Sequence, residues 1–364
     1  MKRSLWPVVP VVMAVGLPVA VQAAPEFYGR INVSLDHVGD YPDNKLSGSL
    51  NDIQAGENPL GDGWFLESNS SRLGVRGSEP LDVAGLSVIY QLEVGYDADG
   101  DNDTFNTRNS FVGLNTPYGK VFAGRYDSLV KIAEGRVDQF NNTAADLENQ
   151  FYGQRRNSNT LNWESPAFGA LTLRAQVGPG EDDEVGDPPN NDRKTSLTDT
   201  YGLSATWVSD SLYGALAYEH SYLEIDVPNP AAPPASLAVA GDLDLARATV
   251  GVKLGSWDLG AMVEQLRLDP DLSGASRSDG TSYLVSAGYR MTPRLSLKAQ
   301  AARFDSDDLG LESTTATGGA DYALGKNTKV YGLVSLSDAK ISYPGGLDDD
   351  QDGTLASVGM EHKF

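Results

Sequence analysis

The sequence has no cysteine, only three histidines and, past residue 23, no apolar run approaching the roughly 18 residues of a membrane-spanning helix. Each shortage excludes something. Without cysteine there is no disulfide framework, and folding needs no oxidising compartment. His37, His220 and His362 lie far apart, which leaves a histidine metal site or a histidine-dependent catalytic triad without support. Basic residues are scarce as well: 28 Lys and Arg against 50 Asp and Glu give a formal charge of −22. Nucleic acid, itself polyanionic, is a poor partner for such a chain. The missing apolar run rules out a helical membrane protein. It is silent on a membrane barrel, whose strands alternate and average out in hydropathy.

What is present begins with a leader. Lys2 and Arg3 precede an apolar stretch over residues 5–21, and Val21-Gln22-Ala23 offers small residues at the cleavage positions. This reads as a signal peptide over residues 1–23, removed on export, followed by a single domain over 24–364. The leader holds two of the 28 basic residues and no acidic one, so its removal takes the formal charge from −22 to −24.

Beyond it the same unit recurs: an alternating strand, a very short turn, another alternating strand, then a long acidic connection. Sixteen strands are predicted, over 26–37, 66–78, 86–96, 107–115, 119–126, 158–165, 169–178, 199–209, 211–226, 243–254, 256–268, 281–291, 294–305, 314–324, 327–338 and 354–364. Seven short connections alternate with eight long ones. A soluble sandwich has no reason to gather its short turns at one end, whereas a membrane barrel turns short loops to the periplasm and long ones outward. The fold expected is all-β: a sixteen-stranded antiparallel transmembrane barrel, closed because lipid offers no partner for an open strand edge. Ile31, Val33 and Leu35 fall on one face of the first strand, opposite Arg30, Asn32, Ser34 and Asp36. The apolar face is expected outward to lipid and the polar face inward to water. Tyr118, Phe168, Tyr213, Trp257, Tyr289 and Tyr322 cluster near the short turns, where an interfacial girdle belongs. The last strand, ASVGMEHKF, is expected to pair with the first and to set Phe364 at the interface.

The stretches FYGRINVSLD, SSRLGVRGSE with GLSVIYQLE, RNSFVGLNTPYGKVFAGRYDS and RRNSNTLNWESP, with the terminal Phe364, resemble the general trimeric porins of Gram-negative outer membranes over nearly the whole mature chain. The resemblance implies a homotrimer in the outer membrane, in contact with lipid and lipopolysaccharide. It implies passive diffusion of ions and small hydrophilic solutes without a cofactor. It makes Phe364 the assembly signal read by the outer-membrane insertion machinery, although His362 replaces the usual aromatic two positions earlier. It also implies that the third long connection, 127–157, folds into the barrel and narrows the pore. That segment holds Leu129, Val130, Ile132, Val137, Phe140, Leu147, Phe151 and Tyr152, too apolar for a free coil, and residues 128–139 are compatible with a short helix.

Diffusion needs no catalytic residue; it needs a bore of defined width and field. Carried over from the resemblance, the arginine wall is Arg30, Arg72, Arg76, Arg108 and Arg125, joined by Arg155 or Arg156. The facing acids are Asp127, Glu134, Asp138, Asp146 and Glu148. Strict alternation points Arg125 outward unless a bulge intervenes. The acidic mouth draws cations and the arginines draw anions; the net charge tips the sequence reading toward cations. DADGDNDTF (97–105) and LDDDQDG (347–353) begin like calcium loops but lack the twelfth-position glutamate, so they read as solvated loop charge rather than a metal site. The other readings are a solute-specific porin and a barrel acting through its loops as adhesin or receptor. A barrel enzyme is disfavoured by the scattered histidines and the absence of Gly-x-Ser-x-Gly.

Overall fold

A segment that alternates at period two becomes a strand with each face in a different medium. The computed structural model describes residues 24–39, 62–83, 85–100, 105–179, 196–228, 236–271, 276–343 and 347–364. The signal-peptide reading of residues 1–23 lies outside them, as do Asp101 and Asp103. The described strands form one closed antiparallel sheet of sixteen passes. The first half comprises β1 (Glu26–Gly39), β2 (two pieces, Gly63–Ser68 and Arg72–Pro80), β3 (Ser87–Gly95), β4 (two pieces, Asn106–Thr107 and Ser110–Thr116), β5 (Gly119–Asp127), β6 (Arg156–Glu164), β7 (Leu171–Gly178) and β8 (Thr200–Val208). The second comprises β9 (Leu212–Pro228), β10 (Ser236–Leu254), β11 (Trp257–Pro270), β12 (Ser278–Arg290), β13 (Leu295–Ser306), β14 (Leu311–Ala323), β15 (Thr328–Tyr343) and β16 (Leu347–Lys363).

Every predicted strand has its counterpart, and the differences are local. β2 is broken at Asn69–Ser71, where Ser70 takes a positive φ of 56°. Side chains fill the gap: Ser71 Oγ accepts from Asn32 N at 3.0 Å, and Asn69 Nδ2 donates to Ser34 Oγ at 2.7 Å. Strands also run further at the long-loop end than alternation indicated. β15 and β16 absorb most of the expected loop 339–353, so Asp348, Asp350 and Asp352 stand in β16 opposite Ser342, Lys340 and Asp338. Above the bilayer, water solvates exposed acids such as Asp350 and Asp352, and nothing ends the backbone ladder.

The faces are sorted as a membrane barrel requires. Leu35, Leu92, Leu216, Val285, Val334 and Val358 are exposed on the outside. Asn32, Ser34, Glu219, Glu264, Gln300 and Ser335 are buried on the inside. The rings of Trp257 and Tyr289 meet tilted at 4.7 Å on the outer face, as a girdle would. Tyr213 does not belong to that girdle. It is 6% exposed, and its hydroxyl donates inward to Ala133 O at 3.1 Å. The cylinder closes between β1 and β16, from Arg30↔Lys363 to Gly39↔Thr354. Gly29 N donates to Phe364 O at 2.9 Å, and Phe364 N to Gly29 O at 3.1 Å. A Cβ on Gly29 would collide with the Phe364 ring, so glycine is what lets the ring lie across β1.

Candidate functional site: the pore constriction

Residues 128–155 fold into the lumen. Ser128 caps α1 (Leu129–Ile132) by accepting from Lys131 N at 3.0 Å. The helix is one turn, shorter than the 128–139 segment allowed, because Gly135 at φ 65° turns the chain beneath it. A 3-10 turn at Leu147–Asn149 follows, capped by Asp146.

The apolar residues of the loop are its adhesive. Val130, Ala133 and Tyr152 pack with Tyr213, Leu245, Leu266 and Phe304. Phe140 and Ala145 pack with Val38, Tyr331, Leu333 and Leu355. Polar ties reinforce them. Gln139 N donates to Gln300 Oε1 at 2.9 Å, and Ser282 Oγ to Gln150 O. Both legs of the loop meet one buried ion pair. Arg247 donates through Nε to Glu264 at 2.9 Å and through Nη1 to Val130 O at 3.0 Å, while Gly153 N donates to Glu264 Oε1 at 3.2 Å. Both side chains of that pair are wholly buried. At the tip, Asn142 O accepts from Asn32 Nδ2 at 2.6 Å, and its Oδ1 accepts from Arg72 Nη1 at 3.3 Å. The loop thus lies along the β9–β15 wall and reaches across to β1 and β2.

Opposite it stand five of the arginines. Arg30, Arg72, Arg108, Arg125 and Arg156 lie within electrostatic reach of one another on the wall from β1 to β6. Arg30 and Arg72 face each other directly across the β1–β2 ladder, a like-charge pairing that needs counter-charge. Glu93 of β3 supplies it: Arg108 Nε donates to it at 2.7 Å, Arg72 lies 3.7 Å away, and Tyr28 donates at 2.9 Å. Arg30 pairs with Glu361 at 3.3 Å, and Arg156 with Asp127 at 3.1 Å. Arg125 is turned inward by a bulge between Gly124 and Tyr126, and it donates to Ser158 Oγ. Gly124 takes φ 145°, where a Cβ would strike Ser110 O.

Two predicted wall residues are elsewhere. Arg76 lies toward the short-turn end, half exposed and bidentate to Glu26 at 2.9 Å. Arg155 points away from the row, to Glu219 at 2.8 Å and Ser221 at 2.9 Å on β9. The acids divide likewise. Asp127 belongs to the wall, where it also accepts from Asn109 at 2.7 Å. Glu134 accepts from Asn141 Nδ2 at 2.8 Å. Asp138 accepts from Phe140 N at 2.8 Å and from Leu147 N at 3.4 Å. Asp146 accepts from Asn142 N at 2.6 Å and Glu148 N at 3.2 Å, and Glu148 stays half-buried. Burial, with Asp146 beside it, pushes Glu134 up to about 7; burial, with Glu134 beside it, does the same to Asp138. Asp146 is raised well above the usual carboxylate range by burial, Asp138 and Glu148. Burial and the nearby Arg156 lower Lys131.

Sequence reasoning missed Glu93, Asn142 and the Arg247–Glu264 pair. Glu93 had a signal: it sits on the polar face of GLSVIYQLE, between strands bearing Arg72 and Arg108. Nothing local marks Asn142 or the pair, whose roles depend on where the loop lands.

Comparison with known proteins agrees with this architecture. A model of the Gram-negative porin family matches residues 10–341. The major outer membrane protein P.IB of Neisseria sicca is 24% identical over 368 residues, covering 96% of this chain and 97% of its own. That of Neisseria gonorrhoeae is 25% identical over 370 residues, with the same shares of 96% and 97%. Among solved structures, the anion-selective porin from Comamonas acidovorans superposes with a TM-score of 0.69 at 20% identity, covering 94% of this chain and 99% of that one. The trimer form of OmpT from Vibrio cholerae gives 0.66 at 14% identity, covering 94% and 99%. A closed sixteen-pass barrel, a long connection folded into its lumen and a family match over most of the chain lead to one conclusion: this chain belongs to the Gram-negative porin family.

Proposed function

We propose that the barrel is an outer-membrane channel for passive diffusion of ions and small hydrophilic solutes, and that its constriction favours anions. One observation carries the selectivity. The row of Arg30, Arg72, Arg108, Arg125 and Arg156 is paired with three carboxylates, those of Glu93, Glu361 and Asp127, and Asp146 of the loop acts on Arg30 from further away. Glu134, Asp138 and Asp146 each accept hydrogen bonds from the loop itself, from Asn141, from Phe140 and Leu147, and from Asn142 and Glu148. Arg30 Nη1 and Arg125 Nε have no hydrogen-bond partner among the described residues. In a narrow, low-dielectric passage such surplus charge selects ions more strongly than the same charge in bulk water.

Several attendant features belong to the same reading. Residues 1–23 act as a signal peptide, Phe364 is the mark read by the insertion machinery, and the outer face meets lipid and lipopolysaccharide. The trimer form of the Vibrio cholerae relative supports a homotrimer here. Single-channel recording of the refolded protein under a potassium chloride gradient tests the proposal. An ohmic current with a chloride-directed reversal potential is expected, and replacing Arg30, Arg72 and Arg156 together with glutamine should move that potential toward potassium. A folded protein that passes no current would overturn the channel. A potential indifferent to the three arginines would overturn the assignment of selectivity.

A further inference from the structure

Beneath the loop, on the short-turn side, lies a cavity of about 360 Å³. The loop roofs it with Arg136, Asp138 and Gln139, and the inner faces of β11–β15 wall it with Asp258, Arg290, Lys298, Asp321 and Lys329. Its charges do not cancel. Lys298 Nζ and Lys329 Nζ each lie 3.0 Å from Asp321, so two ammoniums share one carboxylate. The ring of Phe140, 4.8 Å from Lys298 Nζ, helps hold that side chain in place. Arg136 approaches Asp258 only to 3.8 Å, too far for a hydrogen bond. Its Nε and Nη2 are buried and have no hydrogen-bond partner among the described residues. Asp138 gives its oxygens to the Phe140 and Leu147 amides. Glu361, the register partner of Lys329 on β16, is shared among Arg30, Lys329 and Lys363. Four cations, Arg136, Arg290, Lys298 and Lys329, therefore face Asp258, Asp321 and a share of Glu361, and two buried nitrogens of the half-buried Arg136 are left with donors unmade, a costly state unless something arrives to accept from them.

We propose that this cavity binds small dianions, of the phosphate or dicarboxylate class, at the short-turn end of the pore. The proposal rests on the reading of the barrel as an open channel. A dianion offers several acceptor oxygens at once. It can take the Arg136 donors from the loop and the Lys298 and Lys329 ammoniums from the wall together, through charge-assisted bonds that one chloride cannot make.

The test uses the full refolded protein in a planar bilayer, in potassium chloride at fixed ionic strength, with inorganic phosphate or succinate added to one side at a time. A saturable fall in chloride current is expected, reached at lower concentration from the short-turn side. Lys298→Gln with Lys329→Gln, which keeps amide donors beside Asp321, should weaken the block about tenfold, the loss expected of charge-assisted contacts. Arg136→Gln should weaken it independently, and Arg267→Gln on the outer face should leave it unchanged. Block by phosphate alone narrows the class to tetrahedral oxyanions, and block by both probes supports dianions generally. A linear effect without saturation, or one untouched by these variants, overturns the site. The current in chloride alone reports whether the channel is open, so the two readings fail separately. Should no current flow, calorimetric titration of the detergent-solubilised protein with phosphate decides the site on its own: saturable heat supports it, and its absence overturns it.

Discussion

Glu134 and Asp138 are buried in the loop, and each is pushed up to about 7, chiefly by burial and then by a neighbouring acid. An undocked loop would return them to their ordinary values of about 4. A carboxyl whose pKa is higher when docked stabilises docking fully below that ordinary value. The contribution is lost as pH rises toward about 7. The loop should therefore be held most firmly in acid, and current fluctuations of the open channel should increase between pH 5 and pH 8. Asp138→Asn should flatten this dependence, and noise that grows toward acid would contradict it. Protonation also removes negative charge near the pore, so the preference for anions should strengthen as pH falls. At this scale the sequence was legible where side chains face along a strand and opaque where the backbone departs from regularity. Arg30 and Arg72, carried over from the porin resemblance, lie on the polar strand faces that alternation gives them. Arg125 depended on a bulge that Gly124 alone could only hint at, and Arg76 and Arg155 found acids that alternation does not locate.

The constriction loop is held by a few contacts at its two legs, and the Arg247–Glu264 pair touches both. Removing one partner from a wholly buried ion pair costs on the order of 3–5 kcal/mol, because the other charge is left stranded. Glu264→Gln should therefore loosen the loop, giving larger and noisier conductance steps, while the barrel around it keeps its resistance to thermal unfolding. Unchanged conductance in a variant shown to be folded would mean that the apolar contacts of Val130, Phe140 and Phe151 suffice. The elements themselves were readable because lipid and water impose opposite demands on alternate residues. Their outer ends were not, since there polar residues such as Asp338, Lys340, Asp350 and Asp352 stand exposed on the outer face and polarity no longer marks where pairing stops. The landing place of the loop was beyond reach for another reason. Its apolar residues announce burial but not which strands receive them.

The molecule as a whole sets two electrostatic regimes in series. With a formal charge of −22 and exposed acids such as Asp350 and Asp352 on its long strands, its outer mouth attracts cations, while the constriction is rich in arginine. Charges exposed to bulk water are screened over about 10 Å at 0.1 M salt and about 3 Å at 1 M. Raising salt should silence the mouth before the constriction, so chloride preference should grow from 0.1 M to 1 M; a shift toward potassium would place the controlling field at the mouth. Closure of the cylinder can be tested as directly. His37 and Ala356 are register partners on the outer face of β1 and β16, and the chain has no cysteine of its own. His37→Cys with Ala356→Cys should give a disulfide, visible as altered migration of the denatured, unreduced chain.

That closure has a consequence for how the protein comes into being. Arg30 meets Lys363 across almost the whole sequence, so the sheet ends on the contact with the largest loop-closure entropy. Until it forms, the edges of β1 and β16 are both unpaired, and the membrane interior has no partner to offer them. A chain lacking β16 is therefore not a slightly weaker barrel; it has no stable inserted state at all. The hairpin of β15 and β16 is thus what the membrane needs before it can keep the chain.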